Sequence, residues 1–97
     1  MEARVAVRHA PEARRFEADG DGGLAVLEYL GPRDGRVVFT HTGVPEEDEG
    51  EGIGSALAKA ALDWAQAEGL RVLPLCPFVA AYLRRHPAYQ PLVEERR

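Results

Sequence analysis

Three glycines at alternate positions, Gly50, Gly52 and Gly54, stand just where an apolar stretch with helical spacing begins. Glycine costs roughly 1 kcal/mol against alanine inside a helix, so three at a helix mouth imply a backbone that must approach something closely. The N–H groups of a first turn and the positive end of the helix dipole favour an anion, and phosphate is the usual guest. Two further residues carry reactive groups. Cys76 directly precedes Pro77, which suits a first helical turn, so its sulfur falls near a helix N-terminus, where a thiolate is stabilised. The other reading of Cys76 is a small buried hydrophobe. His41, between Thr40 and Thr42, is a candidate general base, since an unperturbed imidazole suits proton transfer near neutral pH. It equally fits a hydrogen-bonded residue of its strand, where it is expected to share a face with Phe39.

These groups need elements to position them. Residues 4–10 and 14–19 read as two strands, and the cluster Asp19-Gly20-Asp21-Gly22-Gly23 separates them from the apolar run 24–30, expected near the middle of a sheet. Gly31-Pro32-Arg33-Asp34-Gly35 is turn chemistry, and 36–42 resumes β-branched and aromatic residues. The first half is therefore expected to be an antiparallel meander. The period then changes. Ile53, Leu57, Ala60, Trp64 and Ala67 fall at helical spacing, with Ser55, Lys59, Asp63 and Gln66 on the opposite face. At ~1.5 Å per residue, a helix over 53–68 spans about 24 Å, and Gly69 suits the left-handed position that ends it. A strand over 70–75 follows, with Pro74 removing one ladder donor, so it belongs at an edge or pulled away from a neighbour there. A short helix over 78–85 is stopped by Pro87, and 89–93 fits a last short strand.

Composition narrows the function. A chain of 97 residues with 45% apolar and 29% charged residues is expected to form one globular domain. A single cysteine cannot form an internal disulfide, which agrees with a reducing, cytoplasmic setting. A net charge of −4 gives no footprint for nucleic acid or an anionic membrane, and neither is expected as a partner.

The glycine loop excludes two phosphate motifs. A nucleotide-binding P-loop needs Lys before the Ser or Thr, and here Gly54 precedes Ser55. A dinucleotide fingerprint needs Gly-x-Gly-x-x-Gly in a tight turn straight after a parallel strand, and here the glycines alternate after a long loop. What remains is a pyrophosphate-cradling turn that resembles the GNAT superfamily of acetyl-CoA-dependent N-acetyltransferases. Phe39-Thr40-His41-Thr42, Val44-Pro45, Gly50, Gly52-Ile53-Gly54-Ser55 and Leu75-Cys76-Pro77-Phe78 through Arg84-Arg85-His86-Pro87 together resemble its very small, single-domain branch.

The resemblance implies an α/β fold of the α+β type: a mixed, mainly antiparallel sheet, splayed open between the strands ending near Val44 and Leu75, with one long and one short helix. It implies acetyl-CoA as the ligand, with the pyrophosphate on the amides of Glu49, Gly50, Glu51, Gly52, Ile53, Gly54 and Ser55. The pantetheine arm would pair with the backbone of Thr42, Gly43 and Val44. Arg84 and Arg85 either offset the dipole of the short helix or meet the cofactor phosphates. Cys76 would accept the acetyl group or assist its transfer, His41 would take the acceptor's proton, and Tyr82 would protonate the departing thiolate or simply pack in the core. The sequence departs from the family in three places. Glu49 and Glu51 stand where basic or amide residues are usual, and Gly43 where this branch commonly has an acid. The expected function is N-acetyl transfer from acetyl-CoA to a small-molecule or protein amine, by a monomer or homodimer. The alternative, favoured by those departures, is a non-catalytic CoA-binding or protein-interaction module that retains the fold.

Overall fold

The computed structural model describes residues 5–94. Five strands form one sheet in chain order: β1 (Val7–Ala10), β2 (Arg15–Gly20), β3 (Gly23–Arg33), β4 (Arg36–Gly43) and β5 (Arg71–Pro74). The first four are antiparallel neighbours, as the turn chemistry predicts, with the apolar strand β3 in the middle. β5 joins β4 in parallel through the crossover helix α1 (Ile53–Ala67) and occupies the edge, where a proline-bearing strand belongs. A second helix, α2 (Pro77–Arg85), follows β5.

Several boundaries differ from the sequence expectation. The first strand begins at Val7, and Arg4 lies outside the described residues. β3 runs on to Arg33, because only Asp34 and Gly35, at φ 54° and 77°, make the turn to β4. Gly31 and Pro32 sit inside a bulge between Leu30 and Arg33, where a missing N–H breaks no ladder bond. The segment expected as a last strand is a 3-10 turn, Pro87–Leu92. Pro87 and Pro91 cannot donate to a ladder, and the chain pairs with the sheet just past the turn, where Val93 forms an isolated bridge to Val72 and the Glu94 amide donates to the Val72 carbonyl at 2.9 Å. Tyr89 docks this turn on α1 by donating its hydroxyl to Asp63 at 2.6 Å, and burial beside that carboxylate pushes the phenol up to about 12.

α1 lays Ile53, Leu57, Ala58, Ala61, Leu62 and Ala65 on one face of the sheet against Phe16, Ala18, Leu27, Tyr29, Val37 and Phe39. The alanines let helix and sheet backbones approach closely. The stripe is shifted from the expected one: Ala67 is exposed and Ala60 and Trp64 half-buried, because the contact surface is wide and centred one residue on, at Ala58, Ala61 and Ala65. Val79, Tyr82 and Leu83 of α2 join the same core. On the opposite face Leu24 and Leu30 are exposed and Val26 and Val38 half-buried, so that face is largely open.

Beside the core, His9 stacks on Phe16 at a centroid distance of 4.1 Å and meets the Tyr29 hydroxyl at 2.8 Å through Nε2. Burial holds its pKa below the ordinary histidine value, against a weaker upward pull from Glu12. Folding thus favours the neutral ring over the charged one. A lowered pKa gives stability that is present above about pH 6.5 and lost as pH falls below it. The melting temperature is expected to drop between pH 7 and 5, and a His9→Phe variant to show a flatter dependence over that window; an identical slope in the variant would remove His9 from the account.

Candidate functional site

The site begins where β4 and β5 part. Their parallel register covers Val37↔Val72, Val38↔Leu73 and Phe39↔Pro74, and the Cys76 amide gives the last bond, 2.9 Å to the Phe39 carbonyl. Pro74 has no N–H, and the Leu75 amide turns back to Leu73 at 3.2 Å. Residues 40–43 of β4 therefore run on with no partner strand on that side among the described residues. This is the splay the sequence resemblance implies, and it opens at Pro74.

The β4 strand carries a second irregularity at this point. Glu28 faces His41, and the next residue, Tyr29, faces Phe39, so Thr40 is an extra residue on β4. This bulge corrects one expectation. Phe39, opposite Tyr29, is buried on the helix face, whereas His41, opposite Glu28, is exposed on the other. A Cβ at position 43 would come within 3.1 Å of His41 Nε2, so Gly43 leaves room for the imidazole. Thr42, returned to the helix face, meets Cys76 Sγ at 3.2 Å through its hydroxyl.

The loop between β4 and α1 closes the cleft. Gly50 and Gly52 take φ of 87° and 85°, the left-handed region that side chains avoid, and deliver the chain into α1 without a side-chain cap. The first helical bond runs from the Ala56 amide to the Gly52 carbonyl, which leaves the amides of Ile53, Gly54 and Ser55 directed out of the first turn. Gly54 has a different reason to lack a side chain: its Cβ would lie 2.7 Å from the Phe78 ring. The acidic run divides. Asp48 is buried and accepts the amides of Asp21 and Gly22, both at 2.9 Å, so it bolts the β2–β3 turn to the loop. Glu46, Glu47, Glu49 and Glu51 are exposed.

A cleft of about 520 Å³ results, lined by Thr42, Val44, Asp48, Glu49, Gly50, Gly52, Ile53, Gly54, Ser55, Phe78 and Arg85. Arg85, from the last turn of α2, adds a cationic residue to the same lining as the first turn of α1. The other expected site residues stand outside this lining. Cys76 is buried at the N-cap of α2 behind Thr42, and Tyr82 is buried with its ring stacked on His86 at 3.9 Å. Burial raises the Tyr82 pKa, so its phenol is held protonated. Gly43, His41, Glu51 and Arg84 are not part of the cleft wall either. Asp48 and Phe78 are the residues whose roles the sequence reading missed. The one signal for Asp48 was an aspartate alone in a run of glutamates.

The sequence model of the GCN5-related N-acetyl-transferase family matches residues 15–92. Protein NATD1 of Mus musculus is 34% identical over 90 residues, covering 89% of this chain and 80% of the mouse protein. The Homo sapiens protein of the same name is 34% identical over 90 residues, covering 89% and 78%. Among solved structures, the solution NMR structure of a GCN5-like protein from Staphylococcus aureus superposes with a TM-score of 0.73 at 24% identity, over 95% of this chain and 90% of that one, a likeness of fold.

Proposed function

The chain belongs to the GCN5-related N-acetyltransferase family of acyltransferases, and from that premise we propose that it moves the acetyl group of acetyl-CoA onto an amine of a small molecule or a protein. The observation that carries this reading is that the uncapped mouth of α1 and the unpaired stretch of β4 open into one cleft. Three first-turn amides and Arg85 suit a pyrophosphate, and the bare backbone at Thr42, Gly43 and Val44 suits the amides of a pantetheine arm. Glu49 faces the same cleft but is exposed, so solvent and salt screen it within about 10 Å. The residues present therefore fit the ligand.

Acetyl-CoA supplies the acetyl group as an activated thioester. The chain's part is to hold, orient and deprotonate. To His41, exposed on the open sheet face beside the bulge, we assign the proton of an amine that approaches the end of β4 from that side. The burial of Cys76 supports direct transfer over an acetyl-cysteine. We further propose a single acetyltransferase domain at work in the cytoplasm, as monomer or homodimer.

A second reading has its own support: none of Cys76, His41 and Tyr82 lines the cleft, as a CoA-binding module without chemistry would allow. Calorimetric titration with acetyl-CoA tests the site. Wild-type protein is expected to bind and Arg85→Glu to bind about tenfold more weakly; no heat at about 1 mM ligand would overturn the proposal. Thiol release with a panel of amines then separates enzyme from module. Binding without release leaves the module, and full activity in Cys76→Ala leaves direct transfer.

A further inference from the structure

At the far end of the sheet, by the β3–β4 turn, a second concavity of about 670 Å³ is lined chiefly by Arg14, Leu30, Pro32, Arg33, Arg36 and Val38. Its cations are not scattered. Arg33 is the register partner of Arg36 across β3 and β4, and Arg36 is the partner of Arg71, which stands just beyond the lining on β5, so three arginines form one row over three strands. Like charges directly opposite one another repel, so the row costs the sheet stability.

Little within the described residues offsets it. Elsewhere on the open face, Arg8 and Arg15 are tied to Glu17, and Arg8 also to Asp19, at 2.6 to 3.1 Å. Here Arg36 gives one bond to Glu94, while Arg33 lies 3.9 Å from Asp34 with both side chains at least 80% exposed, a pair worth little. Arg14 makes no ion pair among the described residues. Asp34 is the one acid of the lining among the described residues. Between the cations lies an aliphatic floor, with Leu30 54% exposed and Val38 half-buried.

We propose that this groove docks an acidic, leucine-bearing segment of a protein partner. Guanidinium groups bind carboxylates through paired N–H bonds, and the floor accepts an aliphatic side chain between them. The concavity is shallow, which suits an extended peptide better than a small metabolite that must be enclosed. Nucleic acid fits less well: the floor offers no aromatic ring for a base to stack on, and the carboxylates of the loop at the other end of the sheet repel a long polyanion. Val38 of the groove and Thr42 of the cleft are four residues apart on β4, about 13 Å at about 3.3 Å each, and lie on opposite faces of the sheet, so a docked peptide leaves the cleft clear.

The test uses the full chain and a fluorescein-labelled peptide of about ten residues alternating Glu and Leu, read by fluorescence anisotropy at about 0.05 M salt. Wild-type protein is expected to bind it, saturating acetyl-CoA to leave the affinity unchanged, and the double variant Arg14→Ser/Arg33→Ser to bind about tenfold more weakly. Both arginines are exposed, so the variant keeps its fold, which circular dichroism verifies. No binding to wild type, equal binding to the double variant, or equal binding of a peptide with Gln in place of Glu would overturn the proposal. So would an oligothymidylate of the same length that binds as tightly and is lost with the same variant. The readout involves no acetyl transfer, so it stands or falls apart from the enzymatic reading.

Discussion

Asp48→Ala is expected to cost the fold about 3 kcal/mol, because two hydrogen bonds to a buried carboxylate are lost together and two turn amides are left without an acceptor. For a chain of this length that is a fall in melting temperature of roughly 10 to 20 °C, and urea denaturation measures it directly. Asp48→Asn should recover less than half of the loss. An amide group has one oxygen where the carboxylate has two, so its NH₂ would face the Asp21 or Gly22 N–H. The same clamp explains Gly20, whose Cβ would overlap the Asp48 carboxylate. Gly20→Ala should therefore destabilise by a similar route, and the double variant should cost no more than the worse single one. Additive losses would show that Gly20 and Asp48 act independently.

The second large effect is on ligand binding. Gly54→Glu is expected to weaken acetyl-CoA binding about a hundredfold, close to 2.7 kcal/mol, since it sets bulk and negative charge at the mouth of α1. Bulk and charge are separable. Gly54→Ala adds only a Cβ, which must push aside the Phe78 ring 2.7 Å away. Phe78 is 36% exposed, so the ring can swing at modest cost, and alanine in a helix even gains up to about 1 kcal/mol over glycine. Stability should hold while the displaced ring narrows the cleft and reduces affinity about tenfold. Adding Phe78→Leu should restore the affinity. Unchanged binding in Gly54→Ala would show that the ring's position is irrelevant to the ligand.

Much of this architecture was legible in the residues. Turn chemistry at Asp21-Gly22 and Asp34-Gly35 ordered the meander, the change of period at Ile53 marked the crossover helix, and Pro74 marked the point where the sheet opens. Local pattern sufficed there, because turns, periodicity and a missing donor act within a few residues. It failed where the cause lies far along the chain. Asp48 is fixed by amides 26 and 27 positions away, and Gly54 is kept bare by a ring on another helix. The bulge at Thr40 was illegible for a subtler reason: one inserted residue reverses which face every later side chain takes, and nothing in Phe39-Thr40-His41-Thr42 marks where the partner strand skips. That single shift moved His41 off the face of Phe39 and brought Thr42 to Cys76.

The parallel seam of β4 and β5 has a consequence for how the molecule assembles. Strands β1 to β4 pair with near neighbours in sequence and can zip by short loop closures. The seam must instead join positions 37 and 72 after a whole helix has been laid down. Such distant contacts are slow to form and add little until the chain between them is ordered. The meander is thus expected to gain protection before the seam, and with it the cleft, which pulse-labelled hydrogen exchange during refolding would read strand by strand.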